Sequence, residues 1–311
     1  MRIAIASGKG GTGKTTVATN LAAILADYGQ RVSYVDCDVE APDGHLFLHP
    51  EIVSEKPVLR LIPAIDAERC RHCGACARFC RFNAISSFPK TTLVHRELCH
   101  SCGGCILVCP AGAIREEQIS VGVVQSGRSG GIAFTSGTFN VGLANSTPVI
   151  RAAKEAAGNE GVVLLDSPPG TSCAMIETVK GCDYVIMVTE PTPFGLHDLH
   201  IAMEAIQRMD LPFGVVINRS DEGAQDVRNA CAKAGAPILA EIPNDRRIAR
   251  AYSEGILACR ALPELRRVFA DILTRLAGIL AVTDLRHTTL CVELQQSLES
   301  AHSGSKKALV P

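Results

Sequence analysis

A glycine-rich segment near the start of the chain has the residue types and spacing of a phosphate-binding loop. Residues 8–15, G-K-G-G-T-G-K-T, satisfy the pattern G-x-x-x-x-G-K-S/T between a predicted strand and a predicted helix, which disfavours a chance glycine-rich turn. Glycines let backbone N–H groups turn towards phosphates, and the helix N-terminus adds positive charge. We expect Lys14 to contact the β- and γ-phosphates of ATP and Thr15 to coordinate Mg²⁺. The predicted nucleotide-binding residues here are Gly8, Lys9, Gly10, Gly11, Thr12, Gly13, Lys14, Thr15 and Thr16.

Eight of the fourteen cysteines fall between Cys70 and Cys109. They form two runs of identical C-x2-C-x2-C-x3-C spacing, and Pro110 follows the second. A doubled run of this kind is typical of bacterial ferredoxins with two 4Fe–4S clusters, in which the fourth cysteine of each run ligates the other cluster. The predicted ligands are Cys70, Cys73, Cys76 and Cys109 for the first cluster and Cys80, Cys99, Cys102 and Cys105 for the second.

Zinc and disulfides are the alternatives for these cysteines. A structural zinc site has four ligands, usually in two pairs, which two identical runs of three plus one fit poorly. Disulfides are rare in a reducing cytosol. Arg81 follows Cys80 where the second run has proline, a departure that removes no ligand. Residues 66–117 carry seven Lys/Arg and five Asp/Glu, a net +2, which suits an acidic partner or an ordinary solvated surface.

The elements around these motifs predict an α/β fold with a doubly wound parallel sheet. A strand at 2–6, a helix at 15–28 and a strand at 32–35 open the chain. The alternation resumes with strands at 162–165, 184–188, 215–217 and 238–242 and helices at 148–157, 173–181, 196–209, 223–235 and 263–280. The predicted domains are a P-loop NTPase domain of residues 1–63 and 118–283, an inserted bacterial-type ferredoxin domain (α+β) of residues 64–117, and a tail of residues 284–311.

Residues 9–16, K-G-G-T-G-K-T-T, resemble the deviant Walker A motif of the MinD/ParA ATPases, which include the nitrogenase iron protein and the Mrp-type cluster carriers. The resemblance covers about residues 1–280. It implies a nucleotide-dependent homodimer in which Lys9 reaches the phosphates bound to the partner subunit. From its chemistry alone, Lys9 serves equally well as a surface charge beside the loop.

Further residues match the same family. Asp36-Cys37-Asp38 resembles the first switch, which implies that Asp38 orients the attacking water and that Asp36 belongs to the magnesium shell. Residues 162–166, four apolar residues ending in Asp166, form a Walker B pattern suited to holding Mg²⁺. Residues 167–171, S-P-P-G-T, resemble the second switch, in which Gly170 has the conformational freedom to swing.

Two single residues have open interpretations. Asn218 resembles the adenine-recognising asparagine of the family, and its amide has the donor and the acceptor that suit an adenine edge, but a strand-end turn residue is the alternative. Cys173 stands near where the nitrogenase iron protein has a bridging-cluster ligand. It is interpreted either as a metal or redox ligand near a dimer axis or as a small buried residue. The other cysteines, Cys37, Cys182, Cys231, Cys259 and Cys291, are predicted core residues.

Composition narrows the classes of partner. The chain has 311 residues, is 47% hydrophobic and carries a net charge of −1 without any tryptophan, so nucleic acid is not an expected partner. No apolar run reaches the roughly 18–20 residues that span a bilayer, and the N-terminus lacks a secretory apolar segment. We expect a cytoplasmic protein that binds no membrane. The tail's leucine stripe, Leu290, Leu294 and Leu298, is predicted to pack on the body or a partner.

Two functions fit these motifs. The first is an ATPase whose nucleotide state is coupled to electron transfer through two 4Fe–4S clusters, since a moving switch can tune a cluster's potential. The second is an ATP-dependent factor that assembles or delivers iron–sulfur or other metal cofactors. Two complete cysteine sets favour stable clusters and therefore the first function. Either function requires a protein partner, for redox chemistry or for cofactor assembly.

Overall fold

The computed structural model describes residues 1–283, so the predicted tail and its leucine stripe lie outside the described residues. The strands are β1 (Arg2–Ala6), β2 (Val32–Asp36), β3 (Glu51–Ile65), β4 (Ile85–Phe88), β5 (Thr91–Val94), β6 (Ile114–Ser129), β7 (Ile132–Phe139), β8 (Val162–Asp166), β9 (Tyr184–Thr189), β10 (Phe213–Ser220) and β11 (Ile238–Pro243). The helices are α1 (Lys14–Asp27), α2 (His45–Leu48), α3 (Ala75–Phe79), α4 (Gly104–Leu107), α5 (Thr147–Ala156), α6 (Cys173–Val179), α7 (Pro193–Arg208), α8 (Gln225–Ala234), α9 (Arg246–Ser253), α10 (Ala258–Ala261) and α11 (Pro263–Thr283).

The central sheet runs in the order β11-β10-β9-β1-β8-β2-β7-β6-β3. Pairing is parallel from β11 to β7. At the far edge β6 pairs antiparallel with both β7 and β3. The predicted α/β fold with a mostly parallel sheet is confirmed, whereas the antiparallel edge was not predicted.

Helices cover both faces of the sheet, which explains the continuous apolar runs of its strands. Successive side chains of a strand point to opposite faces. Accordingly, Ile3 and Ile5 of β1 join one buried cluster, whereas Ala4 and Ala6 join another. Helices α1 and α11 supply the first cluster, and α5, α7 and α8 supply the second.

Most predicted elements of the parallel part agree closely with the observed ones. Strand β10 extends beyond the predicted residues 215–217 at both ends, and helices α9 and α10 were not predicted. Helix α7 begins at Pro193 rather than near residue 196. The Thr192 hydroxyl accepts a hydrogen bond from the Gly195 N–H at 3.0 Å and caps the helix. Proline fits the first turn of a helix, because a backbone N–H there would have no intrahelical partner.

A long antiparallel ribbon of β3 and β6 is the main feature that the sequence analysis missed. Its register runs from Glu51 opposite Arg128 to Ile65 opposite Ile114. Pro57 and Pro63 argue against a strand, but proline is tolerated at a sheet edge, and β3 is the edge strand. The cysteine-rich segment, residues 66–113, connects the far ends of the two strands and contains α3, α4 and the β4–β5 hairpin.

A buried lysine fixes the end of α6, the helix that follows the second switch. Lys154 of α5 is 7% exposed. Its Nζ donates to the carbonyls of Glu177, Thr178 and Lys180 at 2.6, 2.8 and 2.8 Å. These carbonyls at the C-terminal end of α6 lack intrahelical partners, and a cation there also favours the helix dipole. No helix within residues 1–283 is long and apolar enough to cross a membrane.

Lys154→Met should lower the free energy of unfolding by roughly 2–3 kcal/mol, because it leaves buried carbonyls without donors. Urea unfolding followed by circular dichroism measures the change. Arg151→Met is the matched control, since Arg151 joins the same two helices through an exposed ion pair with Glu177. Its loss should cost less than about 1 kcal/mol. Equal costs for the two variants would contradict the role of Lys154.

Candidate functional site

The glycine-rich loop leads from β1 directly into the N-terminus of α1, as its motif predicts. Gly13 is the N-cap of α1, and its φ of +94° is a left-handed conformation that favours glycine. An added Cβ at Gly13 would also lie 2.3 Å from Nδ2 of Asn218. Lys14 is buried at the first position of the helix. The loop therefore keeps its shape only with glycine at position 13.

A cleft of about 1080 Å³, open to solvent, lies beside this loop. The predicted residues that line it are Gly10, Gly11, Gly13, Lys14, Thr15, Thr16, Asp38 and Asn218. Gly8, Lys9 and Thr12 do not line it. The rest of the lining was not predicted from the sequence and includes Arg219, Asn244, Asp245, Ile248 and Tyr252. A signal for Asn244 and Asp245 existed, because they follow β11 and ligands of parallel sheets bind beyond the carboxyl ends of strands.

Asn218, near the end of β10, contacts the glycine-rich loop directly. Its Nδ2 donates to the Thr12 carbonyl at 2.8 Å. This hydrogen bond holds the asparagine beside the loop while the side chain still lines the cleft. Its adenine-binding role stays a prediction.

Asp36 and Asp166 lie directly beside each other at the ends of β2 and β8, and both are fully buried. Asp36 accepts the Asp38 N–H at 3.2 Å and the Gly44 N–H at 2.9 Å, so it ties down the loop after β2. Burial, with each carboxylate close to the other, raises the pKa of Asp36 well above its usual range. Burial also raises the pKa of Asp166 to about 7, although Thr15 and Lys14 oppose this shift.

Asp166 has the free oxygen that a magnesium ligand needs. Its Oδ2 accepts a hydrogen bond from the Tyr34 hydroxyl at 2.9 Å. By distance and angle, its buried Oδ1 has no hydrogen-bond partner among the described residues, although the Thr15 side chain is close enough to lower the pKa of the carboxyl. Asp166 Oδ1, unpartnered and buried, and the nearby Thr15 hydroxyl are hard oxygen donors, the kind of ligand that Mg²⁺ prefers. The residues present therefore fit Mg²⁺, with Tyr34 orienting the carboxylate. Asp36 stays a predicted member of the magnesium shell.

Asp38 lines the nucleotide cleft, on the loop that follows β2. Burial raises the pKa of its carboxyl to about 6, while the Lys14 ammonium lowers it and the Asp43 carboxylate raises it. The structure thus brings Asp38 together with Lys14 and Thr15 at one cleft. Its role in orienting water stays a prediction.

Lys9 is not among the residues that line the cleft of its own chain. Its ammonium pairs with Glu190 at the end of β9, and Arg219 binds the other oxygen of that carboxylate at 2.8 Å. The Lys9 side chain is 28% exposed. Within a single chain, Lys9 is therefore a partly exposed charge held beside the loop rather than a phosphate ligand.

The two predicted cysteine sets line two separate cavities. One cavity, of about 330 Å³ including its space open to solvent, is lined by Cys70, Cys73, Cys76 and Cys109. A second cavity, of about 460 Å³ including its space open to solvent, is lined by Cys80, Cys99, Cys102 and Cys105. Each set thus combines three cysteines of one run with the last cysteine of the other, as the ferredoxin pattern predicts. Within residues 1–283, no three His, Cys, Asp or Glu side chains converge closely enough to hold a single metal ion.

The two runs share an unusual backbone conformation. His72 and Ser101, which precede the second cysteine of each run, have φ of +53° and +56°. Gly74 and Gly103, which follow that cysteine, have φ of +72° and +71° and begin α3 and α4. Left-handed residues at matched positions make the two halves of the segment geometrically equivalent.

The last cysteine of each run also accepts a hydrogen bond from a backbone N–H at an equivalent position. The Ala84 N–H donates to Cys80 Sγ at 3.4 Å, and the Ala113 N–H donates to Cys109 Sγ at 3.3 Å. In both cases the donor lies four residues after the cysteine. N–H donors favour a thiolate over a thiol, and the thiolate is the form that ligates iron.

Cys173 belongs to neither cysteine set. It is the first residue of α6 and is exposed, so its interpretation as a small buried residue is wrong. The interpretation as a ligand near a dimer axis stays a prediction. Four of the predicted core cysteines, Cys37, Cys182, Cys231 and Cys259, are buried, and Cys291 lies outside the described residues.

Comparison with known proteins identifies the family. Residues 3–258 match the model of the CobQ/CobB/MinD/ParA nucleotide binding domain. The chain belongs to this family. An uncharacterised protein of Methanocaldococcus jannaschii is 33% identical over 264 residues, which are 83% of this chain and 90% of that protein. An iron–sulfur cluster carrier protein of the same organism is 23% identical over 300 residues, 89% of this chain and 85% of that protein.

Solved structures of the family share the fold. The septum site-determining protein MinD of Pyrococcus horikoshii, complexed with Mg-ADP, superposes with a TM-score of 0.58 at 19% identity. The match covers 91% of this chain and 98% of that one. Membership in the MinD/ParA family makes this chain a P-loop ATPase. The glycine-rich loop and Thr15 line the described cleft, and the roles of Thr15 and Asp166 in hydrolysis stay predictions.

Tyr34→Phe should weaken Mg²⁺-dependent nucleotide binding by about tenfold, because it removes the donor that orients Asp166. Titration of a fluorescent ATP analogue in Mg²⁺ and in EDTA measures the effect, and the affinity in EDTA should not change. Tyr184→Phe is the matched control, since that buried tyrosine hydroxyl has no hydrogen-bond partner among the described residues. If Tyr34→Phe bound Mg-ATP as tightly as the parent chain, Tyr34 would not orient the magnesium ligand.

Proposed function

We propose that this ATPase holds two 4Fe–4S clusters in an inserted ferredoxin-like domain of residues 64–117. The nucleotide state of its ATPase domain, residues 1–63 and 118–283, would control electron transfer through them. The observation that carries the proposal is the division of eight cysteines into two sets, each around its own cavity.

The donor chemistry of the two cavities favours clusters over zinc or disulfides. A zinc ion needs four ligands about 2.3 Å away, and these cysteines instead surround cavities without converging on a point. The cysteines are free thiols in the described chain. Matched N–H donors to Cys80 and Cys109 add hydrogen bonds that stabilise thiolate and tune a cluster's potential. When bound, the clusters would supply one-electron chemistry, and the protein supplies the ligands and these donors.

Only a short part of the chain separates the nucleotide cleft from the cysteine-rich segment. Loop 37–50, which follows β2, contains Asp38 at the cleft and is tied to Asp36 through Gly44. β3 begins directly after this loop and continues to residue 65, five residues before Cys70. A shift of the loop when the γ-phosphate is lost would therefore pass to the ribbon that carries the cysteine-rich segment.

The hydrolysis step follows from the residues around the cleft. Lys14 would neutralise charge on the β- and γ-phosphates, and Thr15 and Asp166 would hold Mg²⁺. Asp38 would orient the attacking water as its hydrogen-bond acceptor. Gly170, with φ of +86°, has the left-handed conformation that lets the second switch change shape.

Nucleotide-dependent dimerisation would complete the site. Lys9 does not line its own cleft and is partly exposed, which suits a lysine that enters the cleft of a second copy. To do so it must leave Glu190, and the phosphates of the partner's ATP would replace that carboxylate as its counter-charge. A redox or cofactor-assembly protein would then bind the ferredoxin-like domain.

Delivery of iron–sulfur clusters or other metal cofactors is the second candidate function. The observation in its favour is the similarity to a protein named an iron–sulfur cluster carrier. Cys73 and Cys102 are exposed, so an acceptor has access to one ligand of each set. Four protein ligands per cavity favour retention instead. Transfer of iron to an apo-ferredoxin, compared with resistance to a chelator, separates the two functions.

Cys76→Ser and Cys105→Ser should each remove about half of the iron, because each takes one buried ligand from one cluster. Anaerobic reconstitution followed by iron analysis measures the loss. Cys231→Ser is the matched control, because Cys231 is a buried core cysteine outside both sets, and it should keep all of the iron. Iron loss limited to one metal ion per variant, or none in either, would refute the two-cluster assignment.

Lys9→Ala should leave ATP affinity unchanged and lower the hydrolysis rate by about a hundredfold or more, since a charge supplied across a subunit interface is worth that much in phosphoryl transfer. Lys14→Ala should abolish nucleotide binding. Steady-state phosphate release and ATP-analogue titration measure the two effects, with exposed Lys56→Ala as the control. Hydrolysis by Lys9→Ala at the parent rate would contradict the dimer mechanism.

A further inference from the structure

Arg60 is a buried cation on the ribbon that leads to the cysteine-rich segment. It stands in β3 and is 7% exposed. Its Nη2 donates to the Arg96 carbonyl at 3.1 Å. Its Nε and Nη1 are buried without a hydrogen-bond partner, and no carboxylate of residues 1–283 forms an ion pair with it. An unpaired buried charge is costly, so these donors call for an anion.

The second cysteine set lies beside this guanidinium. The carbonyl that Arg60 binds opens a short 3₁₀ turn, Arg96–Leu98, that ends at Cys99. Ile62, two residues along the same face of β3, packs with Cys99 and lines the second cavity. Burial lowers the pKa of Arg60, while the negative charge of a Cys99 thiolate raises it. Arg60 and Cys99 are therefore close enough to interact electrostatically.

Resting on the proposed function, we propose that Arg60 is the built-in counter-charge of the second cluster, on Cys80, Cys99, Cys102 and Cys105, and that it raises the reduction potential of that cluster. Four thiolates around a four-iron core leave a net negative charge, which grows by one on reduction. A buried positive charge stabilises the reduced form more than the oxidised form, because solvent screens it little.

The first cluster has no equivalent. Among the described residues, the buried cations are Lys14, Arg60 and Lys154, and only Arg60 belongs to the ribbon or to the cysteine-rich segment. Arg71, which lines the first cavity, is exposed, and solvent screens its charge. Arg60 should thus act on one cluster of the pair.

An EPR-monitored redox titration of the full reconstituted chain tests the proposal. The Cys76→Ser background isolates the signal of the second cluster, and a Cys105→Ser background isolates the first. Arg60→Met should lower the midpoint potential of the second cluster by at least about 59 mV, which corresponds to a tenfold change in its one-electron reduction equilibrium. The first cluster should not change. Arg60→Lys, which keeps the charge, should retain most of the parent potential.

Arg81→Met is the matched control, because Arg81 is exposed and adjoins the ligand Cys80. Its effect should be smaller and should vanish in high salt. Arg60→Gln is the second neutral variant and should lower the midpoint in the same direction.

An unchanged midpoint in Arg60→Met and Arg60→Gln would overturn the proposal, as would equal shifts for Arg60→Met and Arg60→Lys. Failure of the proposed function looks different, because the parent chain would then bind no 4Fe–4S cluster and give no signal to titrate.

Discussion

Two carboxylates buried side by side impose the main constraint on this molecule. Asp36 and Asp166 end neighbouring parallel strands with no exposed surface, and two like charges so close in a low-dielectric interior cannot both ionise without compensation. This compensation comes from the Tyr34 hydroxyl, the Gly44 N–H and the nearby Lys14. A magnesium ion on the free oxygen of Asp166 would complete the balance.

The same constraint extends to the ribbon. Asp36 holds the loop after β2 through the backbone of residue 44, and an added Cβ at Gly44 would lie 2.2 Å from the Tyr34 hydroxyl oxygen. The loop, the tyrosine and both carboxylates therefore pack as one unit. β3 begins soon after this unit and ends next to the cysteine-rich segment, so a single strand connects the cleft side of the sheet to the cysteines.

The features that could be predicted from the sequence are those that depend on a contiguous pattern of residues. The glycine-rich loop and the cysteine runs needed only local spacing, and the parallel strands needed only apolar runs. Tyr34 was missed because a tyrosine inside an apolar strand resembles any core residue. Arg60 and Lys154 were missed because an isolated cation suggests a solvated face, and their burial comes from elements distant in sequence. The prolines of β3 concealed the ribbon, since only the sheet order reveals that β3 is an edge.

In the proposed function, the nucleotide state of the ATPase domain alters the reduction potential of the clusters. An anaerobic, EPR-monitored redox titration of the reconstituted protein, first with Mg-ATP and then with Mg-ADP, tests it most directly. Coupling predicts that the midpoint of at least one cluster differs between the two nucleotides. Identical midpoints for both clusters in the two nucleotides would contradict the coupling and would favour cofactor delivery as the function of this ATPase.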